Sequence, residues 1–424
     1  MTADAPSGVA GFLARYDGLR DRLGGDRAMR DAAAESFRRL GLPGARAGRR
    51  DEAWKYTSLR PVAEASFHEP LTSVSGDGAA LANVPRIAAA RIVFIDGWFR
   101  PELSEVPTPL GFRSFAERPR FGTSAQPDRE PMVALNTMLA EDGAQIDVPE
   151  GTDAGIVQLV SLGDAASGLA TAFHPRHAIR LGRNSRLVLI ETSGGSGVYL
   201  HNPVAAVEIA EGATLVHVRL QDEAAEAFHL STVYAEIAER GTYDSFVLNV
   251  GARLTRTEIH ARLAGAGAMV HLNGAQLLRG LQQADFTSVV RHDAPSCGSR
   301  QTVKNVLAGR SRGVFQGRIE VARAAQKTDG YQMSQTLLLS PDAEVDTKPE
   351  LEIFADDVKC SHGATVGELD HEQLFYLRTR GIPESDARAI LIRAFLTEAL
   401  DVVGNDAARA ALEDAVEQWW EREA

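Results

Sequence analysis

Two cysteines, Cys297 and Cys360, are the only thiols among 424 residues. A pair so far apart gives no disulfide framework and fits a reducing compartment, so a cytoplasmic location is expected. No run of about eighteen apolar residues occurs, so no membrane span is expected. The opening residues, MTADAPSGVAGFLARYDGLRDR, lack a basic start followed by an unbroken apolar stretch, and no secretory leader is expected. Cationic residues are outnumbered, 45 Lys and Arg against 57 Asp and Glu, leaving a net charge of −12. That balance repels a phosphate backbone and argues against non-specific nucleic-acid binding. Arg49 with Arg50, and Arg310 with Arg312, are local exceptions and read as solvated loop arginines. P-loop, GxSxG and HExxH motifs are all missing, as is a Gly-rich strand–turn–helix fingerprint, so the chain carries no nucleotide-hydrolysis or hydrolase machinery of its own. What is present is ordinary for a folded protein: 44% hydrophobic and 24% charged, with length enough for more than one structural unit.

The ends read as helical and the middle does not. Phe12, Leu13, Tyr16, Leu19 and Leu23 recur at helical spacing, and Ala28, Ala32, Phe37 and Leu40 set a second helix stopped by Gly41 and Pro43. A loop-rich stretch containing DEAWKYTSLR completes an N-terminal helical and loop region, residues 1–90. Residues 91–154 form a mixed segment, with RIVFI (91–95) as a strand ending in the turn DGWF and a proline-bearing irregular connection over 101–130. From 155 to 367, short apolar-alternating runs are separated by glycine-bearing turns. Within them IRLGRNSRL, VEIAEGATL, AEIAERGTY and ARLAGAGAM repeat one another. Their matching positions Leu181, Ile209, Ile237 and Leu263 lie 28, 28 and 26 residues apart. Leu307 before AGRSRG and Leu339 before SPDAEV continue the series less regularly. Such a repeat suits the coils of a β-helix or a serial β-sandwich, although an antiparallel meander would write a similar sequence. Residues 368–424 return to helix: a short one over 370–379, one capped by Ser385 with the stripe Ile390, Leu391, Phe395, Leu396, Ala399 and Leu400, and a last one from Asn405 or Asp406. The last helix ends in Trp419 and Trp420, which either dock on the core or expose one indole to a partner.

The most informative segment is ELEIFADDVKCSHGATVG, residues 350–367. If VKCSH is extended, Cys360 and His362 project from one face. A thiolate beside an imidazole is a soft-to-borderline donor pair for iron or zinc, and a neighbouring imidazolium would lower the thiol pKa. Two donors are too few for a closed site, so another chain would have to complete it. Glu350, Glu352 and Asp356 share the parity of Cys360 and could add oxygen donors on an unbroken strand. Taken alone, C-x-H fits a buried cysteine beside a satisfied structural histidine just as well. Cys297, near His292, reads as structural, and His174 and His177 of FHPRH read as solvated loop residues.

Longer motifs decide more. The block AQKTDGYQMSQTLLLSPDAEVDTKPELEIFADDVKCSHGATVGELDHEQLFYLRTRGI, residues 325–382, resembles the C-terminal signature of the SufB/SufD family of the SUF iron–sulfur assembly system, its SufD branch in particular. DEAWKYTSLR (51–60) resembles the N-terminal signature, and SRQTVKNVLAGRSRGVFQGRI (299–319) the central part, so the resemblance spans nearly the whole chain. It departs locally at Met333, Ser334, Gln335 and Thr336, where the SufD branch often carries asparagines. The resemblance implies a mainly β fold, a right-handed parallel β-helix core flanked by N-terminal and C-terminal α-helical segments. It implies a non-catalytic scaffold that pairs with a SufB-type subunit and docks a SufC-type ATPase on the C-terminal helices. ATP would enter only through that ATPase, and a transient iron–sulfur cluster or iron would be shared with the partner subunit. His362 carries the family's functional histidine, with Cys360 as the neighbouring thiol. A role in iron acquisition, a homodimer when the chain is alone and a flavin in the assembled complex are left open. The rival expectations are a passive β-helix interaction protein and a carbohydrate-active β-helix enzyme.

Overall fold

A computed structural model describes residues 7–45, 51–68, 79–122, 124–164 and 170–423; Arg49 and Arg50 lie outside them. From Ala144–Val148 onward the chain crosses alternately between two sheets, so that each coil contributes a strand to each. The ten-stranded sheet opens with the antiparallel hairpin Ala90–Ile95/Trp98–Phe99 and ends at Val358–Gly367. The eleven-stranded sheet opens with Gly111–Ser114 antiparallel to Ala144–Val148 and ends at Glu344–Ile353. The coil-to-coil pairs between these ends are parallel, which makes the middle of the chain a β-solenoid of about eight turns and not a meander.

The sequence repeat is the solenoid's register. Leu181 pairs with Ile209, Ile209 with Ile237 and Ile237 with Leu263, one rung per coil. That rung continues at His292, Val321 and Ile353, not at Leu307 and Leu339. Leu307 pairs with Leu278 and Leu338 in the opposite sheet, and Leu339 lies just past that strand's end. The turns at both edges of the flattened coil use the same small residues, so turn chemistry alone does not say which edge is which.

Seven α-helices flank the solenoid among the described residues: α1 (Gly8–Leu19), α2 (Arg27–Leu40), α3 (Arg60–Glu64), α4 (Pro131–Leu139), α5 (His371–Thr379), α6 (Glu384–Leu400) and α7 (Asp406–Glu423). Asp370 caps α5 by accepting from two backbone N–H groups, and Asn405 accepts from Ala408 N at the start of α7. Ser385 is not a cap. It sits inside α6, which the chain enters from Pro383, a residue whose fixed φ suits a helix start.

Between the sheets lies a core that includes Ile146, Leu189, Val207, Ile237, Leu272 and Phe315. The outer face of the ten-stranded sheet is buried too. Val218, Leu220, Phe246 and Leu277 pack under Ile392, Leu396, Leu412 and Trp419 of α6 and α7. Strands covered on both faces are buried almost along their whole length, although their sequences still alternate. Trp419 is completely buried here, so the C-terminal helix docks on the chain's own core. Lys304, itself buried, fastens α6 to the sheet through Glu398 Oε2 at 2.6 Å and the Phe395 carbonyl at 2.7 Å.

DEAWKYTSLR is the clasp on the other sheet. Trp54 is buried with the Arg256 guanidinium 4.1 Å from its ring centre. Thr57 donates to Asp285 (2.5 Å), Gln283 donates to the Tyr56 carbonyl (2.9 Å) and Lys348 to Glu52 (2.8 Å). Arg256 is the hub, paired at 2.5 Å with Asp285 and at 3.0 Å with Glu258, all three buried. Removing the cation strands two buried carboxylates, which costs roughly 3–5 kcal/mol. Arg256→Ala is therefore expected to lower unfolding free energy by about that amount, with an early change in Trp54 fluorescence. Denaturant unfolding followed at the indole checks it, and a loss within 1 kcal/mol or so would refute the role of this hub.

Candidate functional site: an open end coil

The last coil differs from every coil before it. Glu344–Ile353 is hydrogen-bonded only to Arg312–Val321, and Val358–Gly367 only to Thr328–Leu338. Interior strands are mostly buried, whereas these two are half-exposed or exposed along their length. A bare strand edge leaves a row of N–H and C=O groups ready to pair with another chain. Apolar side chains sit beside it in water: Phe354 is 66% exposed and Val366 54%.

Val358–Gly367 is extended, so Cys360 and His362 do share a face, as the spacing requires. The two then meet different surroundings, because each ends a different rung. Cys360 continues Val270, Ser299 and Gly330, and packs with Ile319, Val321, Leu351 and Val358. His362 continues Gln301 and Gln332, a polar rung, and is exposed. Among the described residues it has no hydrogen-bond partner, which leaves both ring nitrogens available. Burial pushes the Cys360 thiol above its ordinary pKa, with the nearby Asp329 carboxylate adding to the rise. Desolvation of the half-buried sulfur, not the neighbouring imidazole, sets the direction. A metal bound here must displace the thiol proton.

Gly330 makes room for this sulfur. A Cβ placed on it would stand 3.3 Å from Cys360 Sγ and 3.4 Å from Ile319 Cδ1. The carboxylates proposed from parity do not join the pair. Glu350 and Glu352 lie on the other sheet, paired with Lys348 (3.5 Å) and Arg318 (3.7 Å), and Asp356 sits in the intervening turn. The strand the parity assumed is broken between Ile353 and Val358. Cys297 is buried and donates to the Gly265 carbonyl at 3.2 Å, a structural thiol. Arg312 is bound to Asp346, so no basic patch forms there.

His174 and His177 are not solvated. Both are buried; His177 Nδ1 accepts from Ala144 N at 2.9 Å, and burial holds the ring neutral with its pKa down to about 4. Pro175 does prevent a helix, but it leads directly into the strand Arg176–Leu181 of the solenoid. Two histidine–carboxylate groupings escaped the motif search: His201 with Glu223 and His229, and Glu130 with Glu258 and His260. The first was in reach, since His201 and His229 are 28 residues apart, one step of the repeat, and pair in register.

A parallel β-solenoid carrying a thiol–imidazole pair on its uncovered last coil defines the class, and comparison with known proteins defines the family. Residues 162–395 match the model described as "SUF system FeS cluster assembly, SufBD core domain", and residues 26–158 match "SufBD protein N-terminal region". The iron–sulfur cluster assembly protein SufD of Escherichia coli is 34% identical over 373 residues, 85% of this chain and 86% of that one. A SufBD family protein of Synechocystis is 30% identical over 398 residues, 88% and 86% of the two chains. A chloroplastic protein of Arabidopsis thaliana is 29% identical over 398 residues, 89% and 82%. This chain belongs to the SufBD family of iron–sulfur cluster assembly proteins.

The raised thiol pKa sets an observable. Alkylation of Cys360 by iodoacetamide, resolved from Cys297 by peptide mass spectrometry, is expected to accelerate with a midpoint above the ordinary 9.0. A midpoint below that value would refute the desolvated setting. Gly330→Val, which drives a branched side chain into the sulfur, is expected to cost about 1–3 kcal/mol and to move the Cys360 profile while sparing Cys297.

Proposed function

We propose that this chain is a non-catalytic scaffold subunit for building and transferring nascent iron–sulfur clusters. It works by pairing its open end with a SufB-type subunit. The observation that carries this reading is the coincidence, on the open last coil, of the Cys360–His362 donors and the exposed side chains of Phe354 and Val366. A second chain laid along that edge would satisfy the bare backbone groups, bury Phe354 and Val366, and bring further donors to a pair that is incomplete alone. The cluster or its iron is cargo shared across that junction. His362 supplies an exposed imidazole as ligand or proton-managing group, and Cys360 a thiol that yields its proton only to a metal.

A SufC-type ATPase fits the C-terminal helices. Phe375, Tyr376 and Ile390 are exposed on a groove between α5 and α6, and Phe375 is 69% exposed. ATP-driven rearrangement then reaches the scaffold from a partner, in keeping with a sequence that has no phosphate-binding motif. Two free thiols accord with a cytoplasmic setting. Among the described residues no helix is long and apolar enough to cross a membrane. The carbohydrate-active reading draws no support from the open end, where the acids are matched to Lys348 and Arg318.

Two experiments test this. His362→Ala is expected to fold normally and to reduce iron and sulfide bound by the reconstituted complex at least about tenfold. Unchanged content would leave only a passive interaction role. Phe375→Asp with Tyr376→Asp is expected to abolish co-purification of the ATPase while the SufB-type partner is retained. Retention of the ATPase by that double variant would refute docking at this groove.

A further inference from the structure

Glu223 is a buried carboxylate paired with histidines alone among the described residues. Its side chain is fully buried, yet among the described residues no Lys or Arg pairs with it. Its neighbours are two imidazoles: His201 Nδ1 at 3.0 Å from Oε1 and His229 Nδ1 at 2.8 Å from Oε2. A buried carboxylate needs a cation or a full set of hydrogen bonds. That set is incomplete here. His229 Nδ1 makes no well-aligned hydrogen bond to the oxygen despite its closeness. Gln221 Oε1, buried next to the same cluster, has no donor either, while Gln221 Nε2 holds Glu223 Oε2 at 2.8 Å.

We propose that His201, Glu223 and His229 form an internal binding site for a divalent first-row metal ion, iron(II) being the member best matched to the donor set. Two imidazoles and one carboxylate are the facial donor set of non-haem iron(II). One carboxylate oxygen faces each ring, with His201 Nδ1 3.0 Å from Oε1 and His229 Nδ1 2.8 Å from Oε2, so the carboxylate stands between the two imidazoles. All three donor atoms lie within 4.8 Å of one another. The solenoid itself builds the pair, since His201 and His229 are cross-strand neighbours on successive coils with ring centres 4.8 Å apart. Glu223 comes from the loop after Thr214–Gln221, and that loop borders an open surface groove that gives an ion a route inward. A cavity of about 30 Å³ beside the histidines has room for one water, hence one further ligand.

Binding requires each imidazole neutral, with Nδ1 as a lone-pair donor and the proton on Nε2. For His201, Ser161 Oγ lies 3.2 Å from Nε2 and can accept it. The other grouping, Glu130, Glu258 and His260, lacks this character because Arg256 already neutralises Glu258 at 3.0 Å. The inference stands apart from the partner-shared donors at the open end, about which it makes no claim.

The test is anaerobic titration of the full-length, metal-stripped chain with cobalt(II) as a spectroscopic stand-in for iron(II), on a Cys360→Ser, His362→Ala background that removes the open-end donors. One equivalent per chain is expected, with weak six-coordinate d–d bands, and Glu223→Gln should weaken binding at least about tenfold. Circular dichroism identifies a variant that has merely unfolded. X-ray absorption of the cobalt-loaded background chain supplies a readout that needs no further variant: two imidazoles and oxygen, with no sulfur, are expected. No stoichiometric binding on that background, a sulfur scatterer, or affinity unchanged in folded Glu223→Gln would each overturn the proposal.

Discussion

Rung register in a parallel solenoid is the constraint on which the rest of this molecule depends. From Val204 to Gly367, paired strand residues on successive coils lie 26 to 32 positions apart in the chain. A side chain's environment is therefore inherited along a rung. Cys360 is half-buried because its rung is made of small and apolar residues, and His362 is polar and exposed because its rung is Gln301 and Gln332. Two residues apart on one strand, they differ because they end different ladders. The same rule brings His201 onto His229 without any local motif.

Register also explains what was legible in the sequence. The step of 28 was visible at Leu181, Ile209 and Ile237, where identical turns follow, and it gave the solenoid's pitch. It faded where the rung turned to histidine at His292, because a buried histidine breaks an apolar pattern without breaking the fold. His292 is held by Ser299 Oγ at 3.0 Å and kept neutral by burial. His174 and His177 misled for a related reason: polar residues were assigned to loops, whereas this solenoid houses a buried polar seam with its own hydrogen bonds. The pairing of Cys360 and His362 on one face was readable from strand period. The rise in the thiol pKa was not, because burial depends on what Gly330 and Ile319 do in other coils.

Both layers of helices follow from sheets that cannot face water on their outer sides. The ten-stranded sheet presents Val218, Leu220, Phe246 and Leu277 outward, and α6 and α7 cover them. The eleven-stranded sheet has an apolar cover of its own, in which Phe12, Phe37, Leu135 and Met138 of α1, α2 and α4 cluster with Phe228, Leu230 and Leu254, and the Trp54–Arg256 network is added to it. An apolar covering is broad and tolerant of exchange among apolar residues. The network is specific, since each buried carboxylate there needs its own donor.

The two ends of the solenoid are built unlike each other, and the contrast bears on function. At the first coils the sheets are closed by antiparallel strands, Trp98–Phe99 on one side and Gly111–Ser114 on the other, with α4 buried alongside. An antiparallel closing strand reverses the chain direction and stops further parallel stacking. At the last coil neither sheet has such a stop. Val358–Gly367 runs straight into the turn before α5, and its edge stays free. Sheet proteins ordinarily blunt such an edge with a bulge, proline or inward charge. Pro349 and the exposed charges of Glu344–Ile353 do this on one sheet only. The strand left unblunted is the one that carries Cys360 and His362, so the solenoid ends in an edge suited to pairing beside that thiol and imidazole.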